Sequence, residues 1–187
     1  MLLTRSVAQF AALSSTHDRG PSLFSTVLGS GWPLNRGVAA AVLALVSLGV
    51  FILPLLLGLD RWDIENDESI YSYAVERMVE TGEWLTPRYV ATDGTFVEKP
   101  PLKFWIVAGA MALGIVPDNQ FGMRVFDALF GAVAFGYIMA FGWRLAGVTA
   151  GSIALLLVSF HPLLFEHGLR TNNMEGALFL SYTGGLF

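Results

Sequence analysis

An all-α fold is what this sequence predicts: a polytopic transmembrane helix bundle with interfacial juxtamembrane helices in a large first extracytoplasmic loop. Three observations carry that expectation. Of the 187 residues, 54% are hydrophobic and only 14% are charged, with a mean hydropathy of +0.58, which is more apolar material than a soluble domain of this size can bury. Uncharged runs lie between Arg36 and Asp60, between Asp127 and Arg144, and between Arg144 and Glu166. The first and third reach the roughly 20 apolar residues that a spanning helix needs. The charges gather instead between Asp60 and Lys103, where ten carboxylates meet five bases, so one wet, acidic segment separates the apolar ones.

Taken in order, residues 1–36 read as a cytoplasmic tail: they are rich in Ser, Gly and Thr, carry Arg5, Arg19 and Arg36, and lack the apolar core and cleavage site of a secretory signal. Residues 37–59 form the first predicted transmembrane helix, and the arginines before it place the N-terminus inside and the acidic loop, 60–123, outside. Within that loop, Asn66 or Asp67 can cap a helix over about 67–81, Ile70, Ala74 and Met78 recur at four-residue spacing, and Gly82 can end it. Such an amphipathic helix is expected to lie on the membrane surface. Pro87 and the Asp93-Gly94 pair mark a turning connection.

The stretch "VEKPPLKFW" then opens a second juxtamembrane helix over about 101–116. The apolar run from Phe104 to Val116 is too short to span. Pro101 suits the first helical turn, where its missing N–H is no loss, and Pro100 keeps the preceding backbone extended. Further transmembrane helices are expected over 124–144 and 147–166, joined by a cytoplasmic turn at Arg144. A short outer loop over 167–175 follows, and the run 176–187, still uncharged at Phe187, reads as a transmembrane helix cut short.

Several function classes fall away at this point. Cysteine is absent, which removes disulfides and thiolate metal sites. No basic stripe is present to hold nucleic acid. Two rivals stay open: a transporter or flippase, which would place charges within spans and break helices near mid-bilayer where here they lie in a loop and at helix ends, and a non-catalytic membrane fragment that binds a polyprenyl lipid.

The side chains that could carry chemistry are therefore interfacial. Asp67 and Glu68 are adjacent carboxylates at a helix start, suited to capping and to the helix dipole, or to taking a proton from an acceptor hydroxyl. Glu98 and Lys99 are held at the interface by two prolines; they form a solvated pair, or else a lysine for a lipid phosphate beside a carboxylate that can bind a divalent metal ion. Arg88, Arg124 and Arg170 flank predicted interfaces, where they either snorkel to headgroups or recognise phosphate. Asp127, three residues after Arg124, is expected to be its ion-pair partner. His167 is a weak metal candidate, and His161 beside Pro162 reads as packing.

"DESIYSYAVERMVETGEWLTP", "FVEKPPLKFW", "RVFDALFG" and "LRTNNMEGAL" together resemble the N-terminal part of membrane glycosyltransferases of the GT-C superfamily. The likeness is to the aminoarabinose transferase and protein mannosyltransferase relatives, glycosyltransferase families 39 and 83, and covers roughly residues 39–180. The resemblance implies transfer of a sugar from a polyprenyl-phosphate donor to a lipid, glycan or protein acceptor, in a multi-pass protein of the bacterial inner membrane. It implies Asp67 as the catalytic base with Glu68 as its acidic neighbour, Lys99 as a donor-phosphate group and Glu98 as a metal or acceptor ligand, and it matches Arg124 to an arginine at the start of the following span; Arg88, Arg124 and Arg170 are donor-phosphate candidates by their interfacial position. Glu175 stands where many relatives carry an aspartate, with the charge kept and the side chain lengthened.

Overall fold

The computed structural model describes residues 35–64, 67–88, 95 and 99–187. The described helices lie in the compact unit Gly37–Phe187, the first of them starting one residue before it. The secondary structure there is helical, with no strand among the described residues beyond one isolated antiparallel bridge between Arg88 and Thr95. In chain order the helices are α1 (Arg36–Leu56), α2 (Asp67–Thr81), α3 (Leu102–Ala112), α4 (Gln120–Ala146), α5 (Val148–Ser159), a π-helical turn (Leu163–Gly168) and α6 (Glu175–Leu186).

Two of these, α1 and α4, are long and apolar enough to cross a membrane. A helix of 21 residues rises about 32 Å, close to the thickness of a bilayer's hydrocarbon core. The outward face of α1 is unusually apolar: Leu45 is 70% exposed, and Val42, Val46, Val50 and Leu53 are exposed with it. Water would be a poor solvent for such a stripe.

The third predicted span, 147–166, is not one continuous helix. It stops at Ser159, and the chain resumes as the π-helical turn after Pro162. Pro162 has no N–H to give and its ring clashes with the preceding turn, while the ring nitrogen Nδ1 of His161 accepts from the Leu164 N–H at 3.3 Å. The break turns Glu166 and His167 toward the loop after α1.

A second difference concerns α2. Its apolar face does not lie against a membrane surface; Tyr71, Val75 and Met78 are buried against Phe104, Val107 and Met111 of α3, with Met123 of α4 closing the cluster. The periodicity that marks an amphipathic helix is the same whether lipid or another helix covers it. The other core joins Ala44 and Leu55 of α1 to Phe135 and Met139 of α4 and Leu155 of α5, and Ser47 and Ser152 share a hydrogen bond of 2.9 Å between α1 and α5.

Helices α4 and α5 are joined by a single residue, Gly147, whose φ of 90° lets the chain reverse. Their backbones then approach so closely that a Cβ on Gly142 would lie 2.6 Å from the Gly151 Cα. Gly142→Ala is accordingly expected to push the two helices apart and destabilise the protein by about 1–3 kcal/mol, measured as a lower thermal midpoint in detergent. An unchanged midpoint would show that the approach is looser than described.

Candidate functional site

The site begins with a buried clamp between α2 and α4. Glu68, in the first turn of α2, is 5% exposed, and Arg124, near the start of α4, is 3% exposed. Arg124 donates from Nε and Nη2 to the two oxygens of Glu68 at 2.6 and 2.8 Å, the forked geometry that guanidinium and carboxylate share. Its remaining N–H groups reach the backbone carbonyls of Leu59, Trp62 and Asp63 at 2.7, 2.8 and 3.0 Å. All five donors are thereby used, and the chain leaving α1 is fastened to α2 and α4.

That arrangement corrects two expectations. Arg124 does not pair with Asp127 across one helical turn, and with no donor left over it is not free to grip a phosphate. Glu68, occupied by Arg124 and by the backbone N–H of Asn172 at 2.7 Å, is a structural partner here and not a second open carboxylate beside Asp67.

Asp127 is instead held by Lys103 of α3, with Nζ 2.7 Å from Oδ2 and both side chains removed from solvent. Burial pushes the Lys103 pKa down, and the negative charges of Asp127, Glu68 and Glu175 push it back up. Lys103 also donates to Oδ1 of Asn172, whose Nδ2 donates to Ser72 Oγ at 3.0 Å. The two ion pairs, both ending on the first turns of α4, are thus linked through one residue, Asn172, by its backbone N–H to Glu68 and its side-chain oxygen to Lys103.

Beside this buried layer opens a cleft of about 640 Å³, lined by residues from three places: Arg61 and Asp63 after α1, Asp67 at the start of α2, and Glu166 and His167 of the π-helical turn with Arg170 just after it, while the buried Glu68 and Arg124 also line it. Asp67 is exposed to it while its neighbour Glu68 is buried, a split produced by adjacent residues on a helix pointing about 100° apart. Arg170 is tied by one N–H, Nη2 to the Leu57 carbonyl at 2.8 Å, and its Nε is buried without a hydrogen-bond partner.

Of the residues picked out in the sequence, Asp67, Glu68, Arg124, His167 and Arg170 line this one cleft. Lys99 is exposed and is not among the lining residues. Arg88 forms a partly exposed ion pair with Glu83 at 3.0 Å and also stands outside the cleft. Glu175 is exposed at the first turn of α6. Glu98 lies outside the described residues. Among those described, no three His, Asp or Glu side chains are grouped so as to hold a metal ion, and His167 has no such company.

Arg61, Asp63 and Glu166 were not distinguished in the sequence from other loop charges, and Asn172 not at all. The signal for Lys103 is a cation at the very start of an apolar run, one helical turn in from the Pro100-Pro101 pair, a residue that must find a counter-charge once buried.

Comparison with known proteins agrees with the motifs. Residues 98–186 match the family model for dolichyl-phosphate-mannose-protein mannosyltransferase. The chain is 32% identical over 133 residues to undecaprenyl phosphate-alpha-4-amino-4-deoxy-L-arabinose arabinosyl transferase 1 of Pseudomonas fluorescens, covering 69% of this chain and 23% of that protein. A transferase of the same name from another Pseudomonas fluorescens strain is 30% identical over 171 residues, covering 89% and 28%. The corresponding transferase of Pseudomonas savastanoi is 29% identical over 143 residues, covering 73% and 25%. This chain therefore spans about a quarter of the length of the curated relatives it matches. No solved structure matches it significantly. With the E-K-P-P segment inside the matched region and aminoarabinose transferases aligned over most of its length, the chain belongs to the GT-C superfamily of membrane glycosyltransferases.

Proposed function

We propose that this chain forms the acceptor-activating and phosphate-binding part of a multi-pass glycosyltransferase of the bacterial plasma membrane, which moves a sugar from a polyprenyl-phosphate donor to a hydroxyl of a lipid, glycan or protein acceptor. The observation that carries this reading is the cleft, which combines an open carboxylate, Asp67, with two guanidinium groups, Arg61 and Arg170. Asp67 takes the proton from the acceptor hydroxyl as that oxygen attacks the anomeric carbon. The bond from that carbon to the phosphate oxygen breaks on the opposite face, the electron pair leaves with the polyprenyl phosphate, and the configuration inverts.

Arg61 and Arg170 offset the charge that grows on the phosphate, guanidinium being matched to its geometry. Lys99, exposed next to Pro100, meets the lipid phosphate before it enters. Glu98 is the residue that would hold a divalent metal ion, whose chemistry would be to share in neutralising the same phosphate. Arg88 and Glu175 stand outside the cleft and act on approach of the substrates.

The break after α5 favours one other reading, transport of the carrier lipid, since interrupted helices line translocation paths. In its favour is the interruption at Pro162; against it, the interruption delivers Glu166 and His167 to the same cleft as Asp67. Asp67→Asn in the complete protein separates the two. Transfer is expected to fall at least ~10²-fold with membrane insertion intact, as for removal of a general base. Transfer at the original rate would refute the assignment.

A further inference from the structure

We propose that Asn172 is a positioning residue that sets the place of Asp67; this rests on the reading of Asp67 as the base. Asn172 is fully buried, and it belongs to neither of the ion pairs that it joins. Its backbone N–H donates to Glu68 Oε1 at 2.7 Å, and its Nδ2 donates to Ser72 Oγ at 3.0 Å. Glu68 and Ser72 are four residues apart on α2, so both bonds fall on one face of that helix. One residue therefore fixes the first two turns of α2 at one point each, and Asp67 is carried on the first of them.

From its other side Asn172 accepts from Lys103 Nζ, which is locked to Asp127. The neighbours of Asn172 in sequence, Thr171 and Asn173, line the same cleft as Asp67. Asn172 thus ties three things together, the backbone N–H and side-chain amide both taking part: the start of α2, the wall of the cleft, and the α3–α4 ion pair. An amide suits the place because it donates and accepts at once without a charge of its own. An aspartate there would add a third carboxylate to Glu68 and Asp127. Small displacements of a reacting group carry large rate penalties, about 10²-fold for 1 Å.

The test is a mutant cycle in the complete protein, assayed in native membranes by release of polyprenyl phosphate. Asn172→Ala is expected to lower kcat about 10-fold or more while the donor KM stays within about 2-fold. Ser72→Ala, which removes the hydroxyl that Nδ2 meets and leaves the bond from Lys103 in place, is expected to lower kcat less and in the same direction. In an Asp67→Asn background, Asn172→Ala is expected to cause no further fall, because the group it positions is gone. Equal losses in both backgrounds would overturn the proposal, as would a raised KM with kcat unchanged. Full activity of Asp67→Asn alone would overturn the base assignment itself, an outcome distinct from additive losses. If Asn172→Ala does not reach the membrane, Ser72→Ala in the same two backgrounds supports or overturns the proposal by the same criterion.

Discussion

Arg124→Lys is expected to destabilise the protein almost as much as Arg124→Leu, by about 3–5 kcal/mol, although the charge is kept. The reason is geometric. Arg124 places five donors in one plane, two on Glu68 and three on the carbonyls of Leu59, Trp62 and Asp63. A lysine ammonium has three donors on a single nitrogen and cannot span these acceptors at once. Whichever it abandons stays buried, and an unmet buried acceptor costs about 1–3 kcal/mol. Losing the partner of a buried carboxylate costs about 3–5 kcal/mol in total, since these terms overlap and do not simply add. The measurement is thermal or denaturant unfolding of purified protein in a single detergent. A lysine variant as stable as the parent would mean that charge alone, and not the fork, holds α2 to α4.

The second large effect concerns Lys103 and Asp127, and its sign reverses with the number of substitutions. Lys103→Met leaves a carboxylate at 0% exposure with no counter-charge, expected to cost about 3–5 kcal/mol. Asp127→Leu alone strands the ammonium in the same way. Lys103→Met combined with Asp127→Leu removes both charges and fills the space with apolar atoms, and such exchanges are often neutral or stabilising. The double variant is therefore expected to be more stable than either single one. Three unfolding curves decide it: a double variant worse than both singles would show that the pair contributes more by its own attraction than its desolvation takes away.

Much of the architecture was legible in the order of residues alone. Apolar runs and the low charge content indicated helices, and Asp67, Gly82 and the Pro100-Pro101 pair marked where helices begin and end. The interruption at Pro162 was written in the sequence too, but the length of the uncharged run around it outweighed a single proline. The covering of α2 was not legible, because hydrophobic spacing reports that a face is buried and is silent on what buries it.

The site was legible in part for a similar reason. Asp67, Arg124 and Arg170 could be picked out as charges at helix ends. Their partners could not, because Glu68 and Arg124 are 56 residues apart and Lys103 and Asn172 are 69 apart, separations at which no local rule operates. Arg124 and Asp127 illustrate the point. Their three-residue spacing allows a pair on one helix face, yet each is claimed by a stronger partner arriving from α2 or α3.

The touching backbones of α4 and α5 have a consequence for how such a chain would enter lipid. With no gap wide enough for an acyl chain between Gly142 and Gly151, the two segments form one wedge with a shared, sealed seam. Partitioning would then be decided by the outer perimeter of the pair, so that the shorter α5, which by itself falls short of the bilayer's width, is carried in by its longer neighbour.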